Sequence, residues 1–218
     1  MQIWKRFGKK LAVKKATTIQ YVTIFGYADV SENQRLFKEV FEACKALALA
    51  GYTIVNGGGP GTMEAATLGA HEGGGKAIGV SFNPLDMTNF EGVDPNNKVD
   101  KLIQKTSYLE RTLTLLKEGQ VYLIFRGGTG TISEFGMAWG LARLYFGHHK
   151  PLILYGNFWK KIIKTFKENM LLRPEELKVF KIVDSPKGVL KAIWEFEREI
   201  EKGEHGHHIK VSKGDFSI

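Results

Sequence analysis

Glu134 ends the stretch Arg126-Gly127-Gly128-Thr129-Gly130-Thr131-Ile132-Ser133-Glu134, and it is the residue whose type and spacing point most directly to chemistry. Gly127, Gly128 and Gly130 lack a Cβ, so backbone N–H groups there can approach a ligand closely. The spacing predicts a helix from Thr131, and its positive dipole end would point at the same place, which suits an anion, phosphate first. A carboxylate one turn into that helix is unfavourable beside phosphate unless it faces something else. Sugar hydroxyls or a reacting carbon would fit.

A second glycine loop, Asn56-Gly57-Gly58-Gly59-Pro60-Gly61-Thr62, precedes another predicted helix that starts near Pro60. Two such loops at strand ends form a fairly specific anion-site signal. Spacing alone is less telling for the charged residues. A Glu in a first helical turn often only complements the dipole, and an Arg beside a capping box, as Arg111 stands to Ser107 and Glu110, is often a surface charge.

The elements that must position these residues alternate between strand and helix. Strands are expected at Gln20–Phe25, Tyr52–Val55, Lys76–Phe82, Val99–Ile103, Val121–Phe125, Pro151–Tyr155 and Val179–Val183. Between them, Ser31 with Gln34 has capping-box spacing for a helix ending at Gly51, and Ser107 with Glu110 repeats it for the helix carrying Arg111. Phe158–Met170 reads as an amphipathic helix and Pro186–Lys202 as a closing helix capped by Ser185. This alternation predicts an α/β fold, a doubly wound parallel sheet with helices on both faces, in a single domain. Ligands of such sheets bind beyond the carboxyl ends of the strands, where both glycine loops fall.

The helix after Thr131 is apolar on more than one side, which predicts burial against the sheet and against a second surface, a dimer contact. The polar segment Asn83–Asn97 is long enough to be a lid or binding segment, with a surface loop as the equal alternative. Cys44 lies on the apolar face of its helix with Phe37, Val40, Phe41 and Leu47 and is expected to be a buried structural thiol.

The chain has 218 residues, 43% of them apolar, enough for one full core. No apolar run reaches the roughly 18 to 20 residues that span a bilayer, and the first turns lack the apolar core of a signal peptide, so a cytoplasmic protein without membrane contact is expected. The net charge is +8, yet residues 1–15 carry six Lys and Arg and no acid, leaving +2 for the rest. The organisation expected is therefore a basic arm over 1–19, a folded domain over 20–202 and a disordered tail over 203–218. Nucleic acid is an unlikely partner, because no nucleic-acid-binding motif accompanies the charge. His205, His207 and His208 in the tail have no carboxylate or cysteine company, and no metal site is expected.

Neither loop has the G-x-G-x-x-G fingerprint with its later acid that a dinucleotide site needs, and Gly75-Lys76-Ala77 lacks the hydroxyl of a P-loop. The eight residues Gly127 to Glu134 do match the G-G-x-G-T-x-x-E core of the LOG ("Lonely guy") family, often labelled possible lysine decarboxylases. The stretch from Val55-Asn56-Gly57-Gly58-Gly59 to Gly79-Val80 resembles that family's first glycine loop, helix and third strand, and Arg111 falls at its catalytic arginine. The resemblance covers roughly Tyr21 to Phe158.

It implies a Rossmann-like fold, with 20–202 as a nucleotide-binding domain, and a homodimer that, without a cofactor, hydrolyses the N-glycosidic bond of a nucleoside 5′-monophosphate, AMP or cytokinin-type, to free base and ribose 5-phosphate. Arg111 and Glu134 would be catalytic. Gly57, Gly58, Gly59, Arg126, Gly127, Gly128, Thr129, Gly130 and Thr131 would bind phosphate or nucleotide. The chain departs from the family at Arg126, where a proline is usual, at Thr112, usually lysine, and at Ser133, usually an acid. The turn after the first strand is Tyr27-Ala28-Asp29 instead of a small hydroxyl-rich one. These departures leave room for a second reading, a non-catalytic carrier of a nucleotide or molybdenum cofactor. Amino-acid decarboxylation through pyridoxal phosphate would need a Schiff-base lysine, and neither glycine loop holds one.

Overall fold

The computed structural model describes residues 19–83, 92–144 and 150–202. Within them, short runs rich in β-branched and aromatic residues form strands β1 (Tyr21–Phe25), β2 (Thr53–Asn56), β3 (Ala77–Phe82), β4 (Lys101–Lys105), β5 (Val121–Ile124), β6 (Leu152–Tyr155) and β7 (Phe180–Val183). The intervening helices are α1 (Arg35–Leu49), α2 (Thr62–Glu72), α3 (Tyr108–Glu118), α4 (Thr129–Leu144), α5 (Phe158–Asn169) and α6 (Pro186–Lys202), with one 3-10 turn at Pro174–Leu177.

The strands make one parallel sheet in the order β4-β3-β2-β1-β5-β6-β7. Such a sheet is buried on both faces, so its central strands carry continuous apolar runs instead of an alternation; all four residues of β5 are buried. On one face Val22, Ile24, Leu123 and Ile153 pack with α1, α2 and α6 through residues such as Val40, Leu47, Ala66 and Ile193. On the other, Phe25, Tyr122, Ile124 and Leu154 meet Leu115 of α3, Phe135 and Ala138 of α4 and Trp159 of α5. The chain thus folds as the doubly wound α/β domain that its alternation predicts. The order reverses where β1 pairs with both β2 and β5, and crevices for ligands open at such points.

Several boundaries differ from the sequence reading. Helix α1 starts at Arg35: the Gln34 side chain accepts from the Ser31 N–H at 2.8 Å, but the Gln34 N–H donates to the Ser31 carbonyl at 2.9 Å, closing a separate turn ahead of the helix. Helix α2 starts at Thr62, because Gly61 has φ +65°, outside the helical region. A Cβ on Gly61 would also collide with the Ala28 carbonyl. Helix α4 starts at Thr129, two residues early, and β4 is shifted to Lys101–Lys105. Ile19, counted with the basic arm, is fully buried in the core, and the adjacent Gln20 and Tyr21 N–H groups donate to Gln120 Oε1 at 2.6 and 3.0 Å. Residues 1–18, the tail at 203–218 with its histidines, and 84–91 of the expected lid lie outside the described residues.

The caps at Ser107 and Ser185 form, Ser107 Oγ accepting from the Glu110 N–H and Ser185 Oγ from the Gly188 N–H, both at 3.2 Å. Cys44 is buried, and burial pushes its thiol well above the ordinary range, as a structural cysteine requires. The far end of α3 is tied down by Lys150, a wholly buried residue whose ammonium donates to the carbonyls of Leu116, Lys117 and Gly119 at 2.8, 3.1 and 2.6 Å. A cation there satisfies carbonyls that the helix leaves without partners. No described helix is long and apolar enough to cross a membrane.

Candidate active site

Helix α3 enters the switch point with Arg111 one turn from its capped N-terminus, and α4 enters it with Glu134 one turn beyond the glycine loop. The two side chains meet there. Arg111 Nη1 donates to Glu134 Oε1 at 3.0 Å, with both residues buried at 7% and 6% exposure. The guanidinium also donates through Nε to the Val80 carbonyl at 3.3 Å, contacts Met63 Sδ at 3.8 Å through Nη2 and lies over the Tyr108 ring at 6.0 Å. Tyr108 is itself held edge-on by Phe82. A Cβ at position 57 would collide with Arg111 Nη2 and come within 2.6 Å of Met63 Sδ. Gly57 is therefore the space in which the guanidinium sits.

Burial raises the Glu134 carboxyl to about 7, outweighing the attraction of Arg111 that pulls it down. A guanidinium at this distance favours the ionised carboxylate. Because the loss of solvation outweighs it, the group instead titrates close to neutrality. Its second oxygen, Oε2, takes no hydrogen bond among the described residues, and Glu134 lines an open cleft of about 280 Å³.

That cleft lies over the carboxyl ends of β1 and β5. It is lined by Gly26, Tyr27 and Ala28 after β1, by Gly128, Thr129, Gly130 and Thr131 at the start of α4, and by Arg111, Glu134, Gly57 and Met63. The first N–H groups of α4 have no partner within the helix, and the earliest intrahelical bond from the loop is Ile132 N–H to the Gly128 carbonyl at 3.0 Å. Free N–H groups, a helix dipole and a guanidinium converge there, an arrangement suited to an anion.

The expected residues separate on inspection. Gly57, Arg111, Gly128, Thr129, Gly130, Thr131 and Glu134 line this cleft. Gly127 packs under Thr131, where a Cβ would collide with its side chain. The other two glycines of the first loop build the wall behind: the Gly58 carbonyl accepts from the Asp94 N–H at 3.1 Å and the Gly59 carbonyl from Asn97 Nδ2 at 2.7 Å. Arg126 turns away, its guanidinium over the Phe158 ring at 4.5 Å, in a neighbouring cleft. Tyr27, Met63 and Tyr108 were not expected. Tyr108 sits one turn before Arg111 on α3, a spacing that could have indicated it.

A doubly wound parallel sheet with a glycine-walled, anion-ready cleft at its switch point defines the class. The family model described as "Possible lysine decarboxylase" matches residues 63–193, and the chain belongs to that family, the LOG family. No curated protein matches the chain. Among solved structures, the molybdenum cofactor binding protein of Rippkaea orientalis is similar at 21% identity and TM-score 0.62, over 81% of this chain and 96% of that one. The molybdenum cofactor carrier protein of Chlamydomonas reinhardtii is similar at 21% identity and TM-score 0.56, over 82% and 98%. DNA processing protein A of Helicobacter pylori, whose single-stranded DNA binding has been described, is similar at 16% identity and TM-score 0.55, over 84% and 83%. These likenesses are likenesses of fold.

Proposed function

We propose that the protein hydrolyses the N-glycosidic bond of a nucleoside 5′-monophosphate, releasing free base and ribose 5-phosphate. The observation that carries this reading is the buried Arg111–Glu134 pair at the floor of a glycine-walled cleft. The 5′-phosphate sits on the N–H groups of Gly128, Thr129, Gly130 and Thr131. The ribose then extends toward Glu134, whose free Oε2 holds its hydroxyls.

Cleaving the bond from C1′ to the base nitrogen passes through an oxocarbenium-like state, and a carboxylate beside C1′ stabilises the growing positive charge. The electron pair of the breaking bond leaves with the base, whose nitrogen takes a proton from solvent. Water bonds to C1′ and gives up its own proton to Glu134. Arg111 fixes the Glu134 rotamer and bridges to phosphate or leaving base. With its carboxyl near 7, Glu134 can exchange a proton at neutral pH, which a carboxyl at its ordinary value of 4.5 does poorly. Decarboxylation is not supported, since no lysine is among the described residues that line the cleft.

The second reading is a non-catalytic carrier of a nucleotide or molybdenum cofactor. The departures at Arg126, Thr112 and Ser133 favour it, and two structures of similar fold bear such names. Incubation with nucleoside 5′-monophosphates decides: base release supports the hydrolase, and tight binding without release supports the carrier.

We infer further that the protein pairs with a second copy through α4. Ile132, Gly136, Gly140 and Leu144 follow one another at four-residue steps on its outer side. Ile132 and Leu144 are exposed, and nothing lies within 4 Å of where a Cβ would stand on either glycine. On the same sheet face α3 exposes Leu109 and Leu113.

A further inference from the structure

Beside the first cleft, on the other side of the loop that begins at Arg126, a second cleft of about 260 Å³ opens over the ends of β5 and β6. Its lining includes Arg126, Phe158, Tyr155, Arg35 and Glu39. Two of the polar groups are already satisfied by one another, since Arg35 Nε donates to Glu39 Oε1 at 2.7 Å. Two are not.

Arg126 has no carboxylate partner among the described residues, and its guanidinium carbon stands 4.5 Å from the centre of the Phe158 ring, a cation–π contact at the edge of the cleft. Tyr155 is only 4% exposed and its ring packs on Phe125 at 4.6 Å, yet its hydroxyl makes no hydrogen bond among the described residues. Burial and the carboxylates of Glu39 and Asp184 hold its phenol up near 12, so it remains a donor throughout the physiological range.

The Arg126 guanidinium over its ring and the Tyr155 hydroxyl, which opens onto the cleft without a protein partner among the described residues, are two donors that one oxyanion can accept from. Arg126 stands two residues before Gly128, so at most about 7 Å of chain separates this cleft from the first. We propose that the second cleft is a subsite for a second phosphoryl group of the ligand, and that the protein prefers nucleotides carrying two phosphates at separate positions over simple nucleoside 5′-monophosphates. This rests on the reading of the first cleft as the 5′-phosphate site. It also gives a use to the arginine that stands where the family has proline.

The test compares adenosine 3′,5′-bisphosphate with AMP by titration calorimetry on the full chain, for the wild type, Arg126→Ala and Tyr155→Phe. The bisphosphate is expected to bind wild type at least 10-fold tighter than AMP. That ratio should fall to near one in Arg126→Ala and drop several-fold in Tyr155→Phe. Equal binding of the two ligands by wild type, or a ratio that survives Arg126→Ala, overturns the subsite. If neither nucleotide binds, the reading of the first cleft fails instead, and inorganic phosphate becomes the probe. Phosphate binding that Arg126→Ala abolishes then upholds the subsite, and phosphate binding indifferent to Arg126, or none, overturns it.

Discussion

Arg111 and Glu134 come from different helices and meet at 3.0 Å with both side chains almost wholly out of water. A buried ion pair is a weak source of stability while intact, but removing one partner strands the other. Arg111→Ala is therefore expected to lower stability by about 3–5 kcal/mol where Glu134 must stay ionised. It should also reduce base release by 100-fold or more. Urea unfolding and a turnover assay on the same preparation check both. Lost activity with unchanged stability would mean that the pair is not buried together in solution.

The acidity of Glu134 makes stability depend on pH with a definite sign. Its carboxyl is raised from 4.5 to about 7, so between those values the folded chain holds a proton that the unfolded chain has released. Stability contributed by this group is present below about 4.5 and is lost as pH rises through about 7, by on the order of 3 kcal/mol in all. Glu134→Gln, which keeps the shape and cannot titrate, should flatten the profile of urea midpoints between about pH 5 and about pH 8. A wild-type profile that rises over the same window would contradict the assignment.

Gly57 was read as a phosphate ligand, and its structural part is to leave room for the Arg111 guanidinium. Gly57→Ala forces that group to move, and small misplacements at a reacting centre cost about 100-fold in rate. The expected outcome is a large fall in kcat with a loss of only roughly 1–3 kcal/mol in stability, as for other overpacked sites. Equal activity in wild type and Gly57→Ala would show that the guanidinium position is unimportant.

How far the sequence carried these conclusions depended on what each residue answers to. Strand and helix alternation, and the loop from Gly127 to Glu134, are local patterns, so the sheet and the Glu134 position were legible. The direction of Arg126 was not, because the ring that holds it is Phe158, far along the chain, and no period links the two. Met63, in the first turn of α2, and Tyr27, in the turn after β1, reach the cleft from separate elements for the same reason. The start of α1 was misread because Ser31 and Gln34 satisfy each other in a turn that mimics half a capping box. The raised pKa of Glu134 follows from burial by residues of several elements, which one helix face does not reveal.

The open side of α4 bears on assembly. If Ile132, Gly136, Gly140 and Leu144 meet a second copy, a charge at the bare groove should separate the pair. Gly136→Glu is expected to shift the protein from dimer to monomer in light scattering coupled to size-exclusion chromatography, with Tm following protein concentration only in the wild type. A wild-type monomer at micromolar concentration would remove this interface from the account.

The central claim is that the cleft cleaves a nucleoside 5′-monophosphate with Glu134 at C1′. The most direct measurement incubates the full chain with a panel of nucleoside 5′-monophosphates, AMP first, and follows free base by chromatography beside Glu134→Gln. The account predicts base release by the wild type and a fall of at least 100-fold in the variant, which remains folded. Tight binding of a nucleotide with no base released from any of them would contradict it and leave the carrier reading in its place.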